Sequence, residues 1–160
     1  MRSEVDQAIF RYAAGAFPMD DEDAVELPWY TAPERAIFEL GAEPRAHVRR
    51  KVRRDERACA AFELDVDRDY EQVLHLCATP PPDEGVWITP RLADLYLALN
   101  EAGVAHSFEL WTPEGELAAG ILGVTLGRAA MLESMRKRRP AAGNALLIRT
   151  LDHLAEHGFD

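Results

Sequence analysis

Cysteine is scarce in this chain: only Cys59 and Cys77 occur among its 160 residues. They form no Cys-x-x-Cys pair and stand beside no histidine cluster, which argues against a disulfide scaffold and a zinc site. We therefore expect two small, buried, apolar side chains that stay reduced in the cytoplasm.

Long apolar runs are also missing. No stretch approaches the roughly 18 consecutive apolar residues of a membrane span. Residues 1–15 carry acids where a secretory signal has basic residues followed by an apolar run. These absences predict a soluble, unexported, cytoplasmic protein.

The length and the composition suit one compact domain. At 160 residues and 48% hydrophobic, the chain can bury about two-thirds of its unfolded surface. We expect a small helical and basic region over residues 1–57, followed by the main domain over residues 58–160.

The charges are unevenly distributed. The formal net charge of -10 would repel a polyanion at long range, yet the cations cluster in two segments, 45–57 and 136–139. An acidic run contrasts with them: Asp20, Asp21, Glu22, Asp23 and Glu26. This split is expected if one face contacts phosphate and another faces a cationic partner. The alternative is that these runs are solvated surfaces.

Apolar spacing predicts a series of helices and strands. Helices are expected after Ser3, near residues 44–54, after Asp67, after Thr89 and from Asn144. Strands are expected at residues 58–66, 105–111, 116–124 and 128–135, and the second of them should be half-buried. Hairpins flanked by helices predict a mixed α/β fold (α+β) with a mainly antiparallel sheet.

Several short motifs follow one another in a fixed order. They are Gly15-Ala16-Phe17-Pro18, Trp29 to Arg35, Trp87-Ile88-Thr89, Ala105 to Trp111, the glycines Gly120, Gly123 and Gly127, and Leu132-Glu133-Ser134-Met135. In this order they resemble the leucyl/phenylalanyl-tRNA–protein transferases. That family moves an amino acid from aminoacyl-tRNA to the N-terminal amine of proteins beginning with Arg or Lys, which marks them for N-end-rule degradation.

The resemblance implies further properties. The core should be similar to the GCN5-related N-acetyltransferase fold. The partners should be aminoacyl-tRNA carrying Leu, Phe or Met, and proteins with N-terminal Arg or Lys. No cofactor and no metal is implied, and we expect a monomer.

The implied chemistry is the attack of an amine on an aminoacyl ester. A protein α-amine has a pKa of about 7.7–8.0, so a carboxylate that receives its proton would help the reaction at pH 7. Glu133 is the first candidate, because Glu133-Ser134-Met135 matches the motif that carries the family's catalytically important glutamate. Glu109, in the Ser-x-Glu-x-Trp strand, is the second. The alternative for either residue is a solvent-facing carboxylate.

The donor requires an aromatic surface for its terminal adenosine and an apolar pocket for its amino acid. Base stacking on an aromatic side chain contributes about 1–3 kcal/mol. The resemblance assigns substrate binding to Trp29, Tyr30, Trp87, Tyr96, Ile121, Ala130, Ser134 and Met135. The basic segment supplies the tRNA-binding candidates Arg49, Arg50, Lys51, Arg53 and Arg54. Aromatic residues at helix or strand spacing are otherwise packing residues.

The sequence departs from the family pattern in two ways. Ile121, Ala130 and Leu132 replace residues that are usual in the pocket and in the glutamate motif. After Gly158-Phe159-Asp160 the family continues into a strand with an Asp-x-Gln motif. We therefore expect either a C-terminally shortened form that relies on Glu133 or a form that has lost activity.

Two other classes of protein remain open. A CoA-dependent acetyltransferase would need a glycine-rich pyrophosphate turn. The nearest string, Arg139 to Ala145, has its glycine one position late and a proline in second place. The second class is an inactive protein that recognises tRNA or N-terminal residues.

Overall fold

The computed structural model describes residues 3–21 and 23–160, so the predicted contribution of Glu22 to the acidic run lies outside the described residues. Within this part the chain order is α1 (Glu4–Ala13), β1 (Ala16–Pro18), β2 (Trp29–Thr31), α2 (Ala42–Ala58), β3 (Glu63–Val66), α3 (Tyr70–Ala78), α4 (Pro90–Glu101), β4 (Ala105–Trp111), β5 (Leu117–Leu126), β6 (Ala129–Lys137) and α5 (Ala142–Glu156).

Side-chain caps begin the helices that the sequence predicts best. The Ser3 hydroxyl accepts a hydrogen bond from the Asp6 amide (3.1 Å), and the Asp6 carboxylate accepts one from the Ser3 amide (3.3 Å). At α4 the Thr89 hydroxyl accepts from the Leu92 amide (3.3 Å), and Pro90 occupies the first turn, where no donor is needed. Both predicted starts are confirmed.

Three predicted boundaries are wrong. Asp69, not Asp67, caps α3, because the Asp67 carboxylate instead accepts a hydrogen bond from the Ser107 amide (2.8 Å) and Asp67 has a φ of 55°. The strand predicted at residues 58–66 begins only at Glu63, since α2 continues to Ala58. The last helix begins at Ala142, before Asn144.

A four-stranded antiparallel sheet in the order β3-β4-β5-β6 forms the centre of the fold. Helices α3 and α5 both contact β4 and β5. Strand β4 is therefore buried at nearly every position, and the expectation of a half-buried strand was wrong. A second sheet, β1-β2, lies in a segment for which the sequence predicts no strand.

Two groups of buried side chains cover the two faces of the four-stranded sheet. One includes Val73, Leu92, Tyr96 and Leu122, and joins α1, α3 and α4 to the sheet. The other includes Phe108, Ile121 and Leu146, and joins α5 to it. The mixed α/β class with antiparallel sheets is confirmed, as is the burial of both cysteines.

The division into residues 1–57 and 58–160 stays a prediction, and its boundary falls at the end of α2. None of the helices in the described part of the chain is long and apolar enough to cross a membrane.

Gly120 allows α3 to approach β5 closely. A β-carbon at this glycine would lie 2.7 Å and 2.9 Å from the two methyl carbons of Val73. These distances are below any normal contact, and both residues belong to packed elements that cannot separate freely.

We expect Gly120→Ala to lower the free energy of unfolding by about 1–3 kcal/mol, because the added methyl group overpacks the contact. Urea unfolding monitored by circular dichroism measures the change. Gly85→Ala is the control, since nothing lies within 4 Å of its β-carbon position. The double variant Val73→Ala with Gly120→Ala should lose less stability than the sum of the losses in the two single variants, because the smaller side chain relieves the clash. Strictly additive losses would contradict the proposed clash.

Candidate active site

A β-bulge in β6 determines where Glu133 points. Along the β5–β6 ladder Leu122 pairs with Ser134 and Gly123 pairs with Leu132, so Glu133 is the extra residue. Such a bulge changes the direction of a side chain relative to regular alternation. Glu133 therefore faces the side of the sheet where α1 and α4 supply Tyr12 and Tyr96, the two tyrosines that interact with it.

The environment of Glu133 brings its titration close to neutral pH. Burial raises the pKa of this carboxyl from 4.5 to about 7, and the positive charge of Arg35 and the hydroxyl of Tyr96 oppose the rise. The side chain is only partly covered and still borders an open cleft. A carboxyl that titrates near pH 7 is suited to accept and release a proton at physiological pH.

The Tyr12 and Tyr96 hydroxyls are buried beside this carboxyl. Burial is the largest cause of the raised pKa of both phenols, and the negative charge of Glu133 adds to it. Neither hydroxyl has a hydrogen-bond partner of standard geometry among the described residues. Tyr96 is therefore a polar neighbour that favours the ionised carboxylate without a hydrogen bond of standard geometry to it.

The cleft beside Glu133 has a volume of about 660 Å³ and is mainly apolar. The segment between β2 and α2 forms one wall with Ile37 and Phe38, whose side chains are 82% and 43% exposed. Strand β6 and helix α5 form the other, with Ala130, Leu132, Met131, Leu151 and Leu154 among its residues. An apolar group of a substrate can bind here within reach of a titratable carboxyl.

Glu109, the second predicted catalytic residue, lies elsewhere. It is fully buried and accepts hydrogen bonds from the Asp69 amide (2.9 Å), the Ser107 hydroxyl (2.6 Å) and the Trp111 indole (2.8 Å). It does not line the cleft. Three donors on one buried carboxylate are typical of a structural anchor, and a catalytic role for Glu109 stays a prediction.

The predicted aromatic residues separate into two groups. Tyr30 is 47% exposed on β2 and lies near Phe17, with ring centroids 6.4 Å apart. Trp29 packs edge-on against Tyr12 (5.2 Å), and Trp87 packs partly buried against the core. Only Tyr30 therefore offers an open aromatic surface. For Trp29, Trp87 and Tyr96, substrate contact stays a prediction.

The four predicted pocket residues on β5 and β6 also diverge. Ala130 lines the cleft, whereas Ile121 is 1% exposed in the core. Ser134 lies against Cys77, where its side chain lowers the pKa of a thiol that burial raises more strongly. Met135 lies in a separate cleft of about 400 Å³ beside the start of α5. The structure thus brings one of the four together with Glu133 in the cleft.

The basic candidates are not equivalent. Arg49 pairs with Asp152 of α5 and with Glu56 (3.3 Å), so its charge is already engaged. The remaining candidates Arg50, Lys51, Arg53 and Arg54 are exposed on α2, and no described acid pairs with them. In the second basic segment Arg136 pairs with Glu84 and Arg139 with Glu116.

The sequence motifs did not single out two residues beside Glu133. Tyr12 belongs to no motif, and Arg35 is only the last position of one. The sequence signal available for Arg35 was that it is the basic residue of its motif and has apolar neighbours. No sequence signal indicated that Tyr12 would meet a carboxyl on β6.

Comparison with known proteins agrees with an enzyme that transfers a group. The family described as leucyl/phenylalanyl-tRNA protein transferase matches residues 40–160. The transferase of that name from Synechococcus sp. (strain JA-3-3Ab) is 38% identical over 159 residues, covering 99% of this chain and 79% of the relative. The one from Deinococcus radiodurans is 39% identical over 153 residues, covering 92% and 70%.

These similarities first define the class of protein: the chain is a transferase. More specifically, it belongs to the leucyl/phenylalanyl-tRNA–protein transferase family, as its ordered motifs predicted.

The raised pKa of Glu133 has a consequence for stability. Glu133 in the folded protein holds its proton up to about pH 7, whereas the unfolded chain releases it near pH 4.5. Stability from this group is therefore complete below pH 4.5 and is lost as the pH rises through 7. Glu133→Gln should raise the free energy of unfolding by about 2–3 kcal/mol at pH 8 and by much less at pH 5.

Urea unfolding at the two pH values measures this difference. Glu109→Gln is the matched control. It should destabilise the protein at both pH values. The NH₂ group of the glutamine side chain cannot accept a hydrogen bond, so at least one of the three donors would lose its acceptor. An equal effect of Glu133→Gln at pH 5 and pH 8 would contradict a raised pKa.

Proposed function

We propose that this protein transfers Leu, Phe or Met from aminoacyl-tRNA to the N-terminal amine of proteins beginning with Arg or Lys. The observation that carries the proposal is the position of Glu133. Its carboxyl titrates near pH 7 at the edge of an apolar cleft large enough for the side chain of such an amino acid. Membership of the family supports the same reaction.

The proposed reaction needs a group that manages one proton. The acceptor amine forms a C–N bond to the ester carbonyl, and the C–O bond to the terminal ribose breaks. Ionised Glu133 takes one proton from the acceptor ammonium, which frees the nitrogen lone pair for attack. As the amide forms, the nitrogen loses a second proton, and the leaving ribose oxygen takes up that proton as it departs. The ester is already activated, so most of the remaining rate enhancement comes from holding the two substrates in place.

Several finer properties belong to this proposal. We infer that the four-stranded sheet with α5 packed against it is a GCN5-related N-acetyltransferase-like core. We also propose that the protein acts in the cytoplasm as a monomer, where its products would enter N-end-rule degradation. Selection of Arg or Lys as the acceptor residue is supported by the exposed acids between β1 and β2, among them Asp21, Asp23 and Glu26.

Asp20 does not belong to that exposed set. Its side chain is 3% exposed and pairs with Arg91, and it also accepts a hydrogen bond from the Thr89 hydroxyl. It therefore fastens the acidic segment to the start of α4. The exposed acids Asp21, Asp23 and Glu26 can attract a cationic partner.

A direct assay tests the proposed function. The protein is incubated with tRNA charged with leucine, phenylalanine or methionine and with a peptide that begins with Arg, and the peptide mass is measured. A peptide that begins with Gly is the control for acceptor choice. If circular dichroism shows a folded protein and no donor increases the peptide mass, the transfer function is excluded. The remaining function would then be recognition of tRNA or of N-terminal residues without transfer.

The role of Glu133 predicts a large loss of activity on neutralisation. Glu133→Gln should lower the transfer rate by about 10²-fold or more, because the amide cannot take up the proton. The transfer rate of the unmodified protein should rise with pH through about 7, as Glu133 ionises. Glu109→Gln, assayed where it is folded, should have a milder effect. Near-full turnover of Glu133→Gln at pH 7 would mean that the carboxylate carries no proton.

The exposed cations of α2 predict a salt-dependent interaction with tRNA. Arg50 and Arg54 lie one turn apart on the same side of the helix. Replacing both by Ala should weaken tRNA binding and flatten the log–log salt dependence by about one to two units. Arg68→Gln removes a cation outside α2 and should leave the slope unchanged. If the double variant keeps the salt-dependence slope of the unmodified protein, these cations do not contact tRNA, and this helix face is an ordinary solvated surface.

A further inference from the structure

Arg35 connects the exposed wall of the cleft to the rest of the protein. It lies between β2 and α2, close in sequence to the exposed Ile37 and Phe38. Its guanidinium donates a hydrogen bond to the carbonyl oxygen of Gly15 (3.2 Å) and lies 4.9 Å from the ring centroid of Phe17. The side chain is therefore held at two points by the segment that follows α1.

These anchors fix the guanidinium relative to the neighbours of Glu133. Gly15 follows α1, which carries Tyr12, and Phe17 pairs with Tyr30 in the β1–β2 sheet. A hydrogen bond from a charged group is stronger than one between neutral groups, and the face of an aromatic ring attracts a cation. Arg35 is thus placed by the fold, although much of its side chain is exposed.

Arg35 also supplies a charge that no other residue of the cleft supplies. Among the described residues that line it, Arg35 is the only lysine or arginine, and Glu133 and Asp160 are the only acids. Asp160 is already paired with Arg128. Within the described part of the chain, the other groups that act on Glu133 are the neutral hydroxyls of Tyr12 and Tyr96.

We propose that Arg35 is a positioning residue for the proposed transfer: its anchored guanidinium keeps Glu133 able to ionise when an apolar group fills the cleft. The inference rests on the proposed function for its role in turnover. Filling the cleft removes water from Glu133 and disfavours its charge. A fixed positive charge opposes this effect more strongly as water leaves, because screening falls.

The ionisation of Glu133 can be measured without any substrate. Protein labelled with ¹³C at the glutamate carboxyl carbon is titrated by NMR, and Glu133→Gln identifies the signal. In Arg35→Met the titration midpoint of Glu133 should rise by about one pH unit. This is the lower end of the shift expected when a nearby opposite charge is removed. In Arg35→Lys, which keeps the charge, the midpoint should stay close to that of the unmodified protein.

Turnover provides the second readout. The rise of kcat with pH should move upward in Arg35→Met by the same amount as the NMR midpoint, and raising the pH should restore most of the rate. KM for the charged tRNA should change less than kcat at pH 7. Arg11→Met is the matched control, because Arg11 also stacks on an aromatic ring, that of Trp29 at 5.3 Å, but does not line the cleft.

Three results distinguish the possible outcomes. An unchanged Glu133 midpoint in folded Arg35→Met overturns the inference, whatever happens to the rate. A changed midpoint with an unchanged pH profile of kcat overturns the role in turnover. If the unmodified protein transfers nothing at any pH while the midpoint moves as expected, the proposed function fails and the charge coupling between Arg35 and Glu133 stands.

Discussion

The partial burial of one carboxyl, that of Glu133, is the constraint on which the site depends. Removing an ionised group from water is costly, so the protein must oppose that cost with a few placed dipoles and charges. Tyr96 from α4 and Arg35 from the segment after β2 do so, and the β6 bulge brings Glu133 to them. Three distant parts of the chain must therefore be correctly packed before this carboxyl titrates near pH 7.

A second set of ion pairs sets the orientation of α2. Arg45 (2.5 Å) and Arg49 both pair with Asp152 of α5. Partly exposed pairs of this kind contribute little to stability, about 1 kcal/mol or less each. Their effect is geometric, because they turn one side of α2 toward α5 and leave Arg50, Lys51 and Arg54 on the other. A protein with a net charge of -10 thereby presents a local cationic face.

The sequence predicted those parts of the fold whose signals are local. Thr89 and Pro90 begin α4, and the spacing of its apolar residues sets the buried face, so this helix was predicted correctly. Strands of three residues, such as β1 and β2, are too short for any periodicity. Asp67 and Asp69 are equally good caps in isolation, and tertiary contacts of Asp67 with β4, such as the hydrogen bond from the Ser107 amide, decide between them.

The site was predictable in the same limited sense. A motif drew attention to Glu133, but the bulge that directs it arises from the pairing of β5 with β6 and has no signature within β6 alone. Glu109 also stands in a motif. Its burial against three donors depends on the packing of α3 over β4, which sequence spacing does not reveal.

Those three donors have a consequence for how the molecule opens. The Asp69 amide at the start of α3 donates to a carboxylate that is completely buried. Detaching α3 would leave that carboxylate short of one donor in an apolar surrounding, which is costly. The start of α3 should therefore be among the last regions to exchange amide hydrogens with solvent, whereas the segment with Ile37 and Phe38, whose side chains are largely exposed, should exchange early. The protein thus combines a slowly opening centre with a readily opening wall of its cleft.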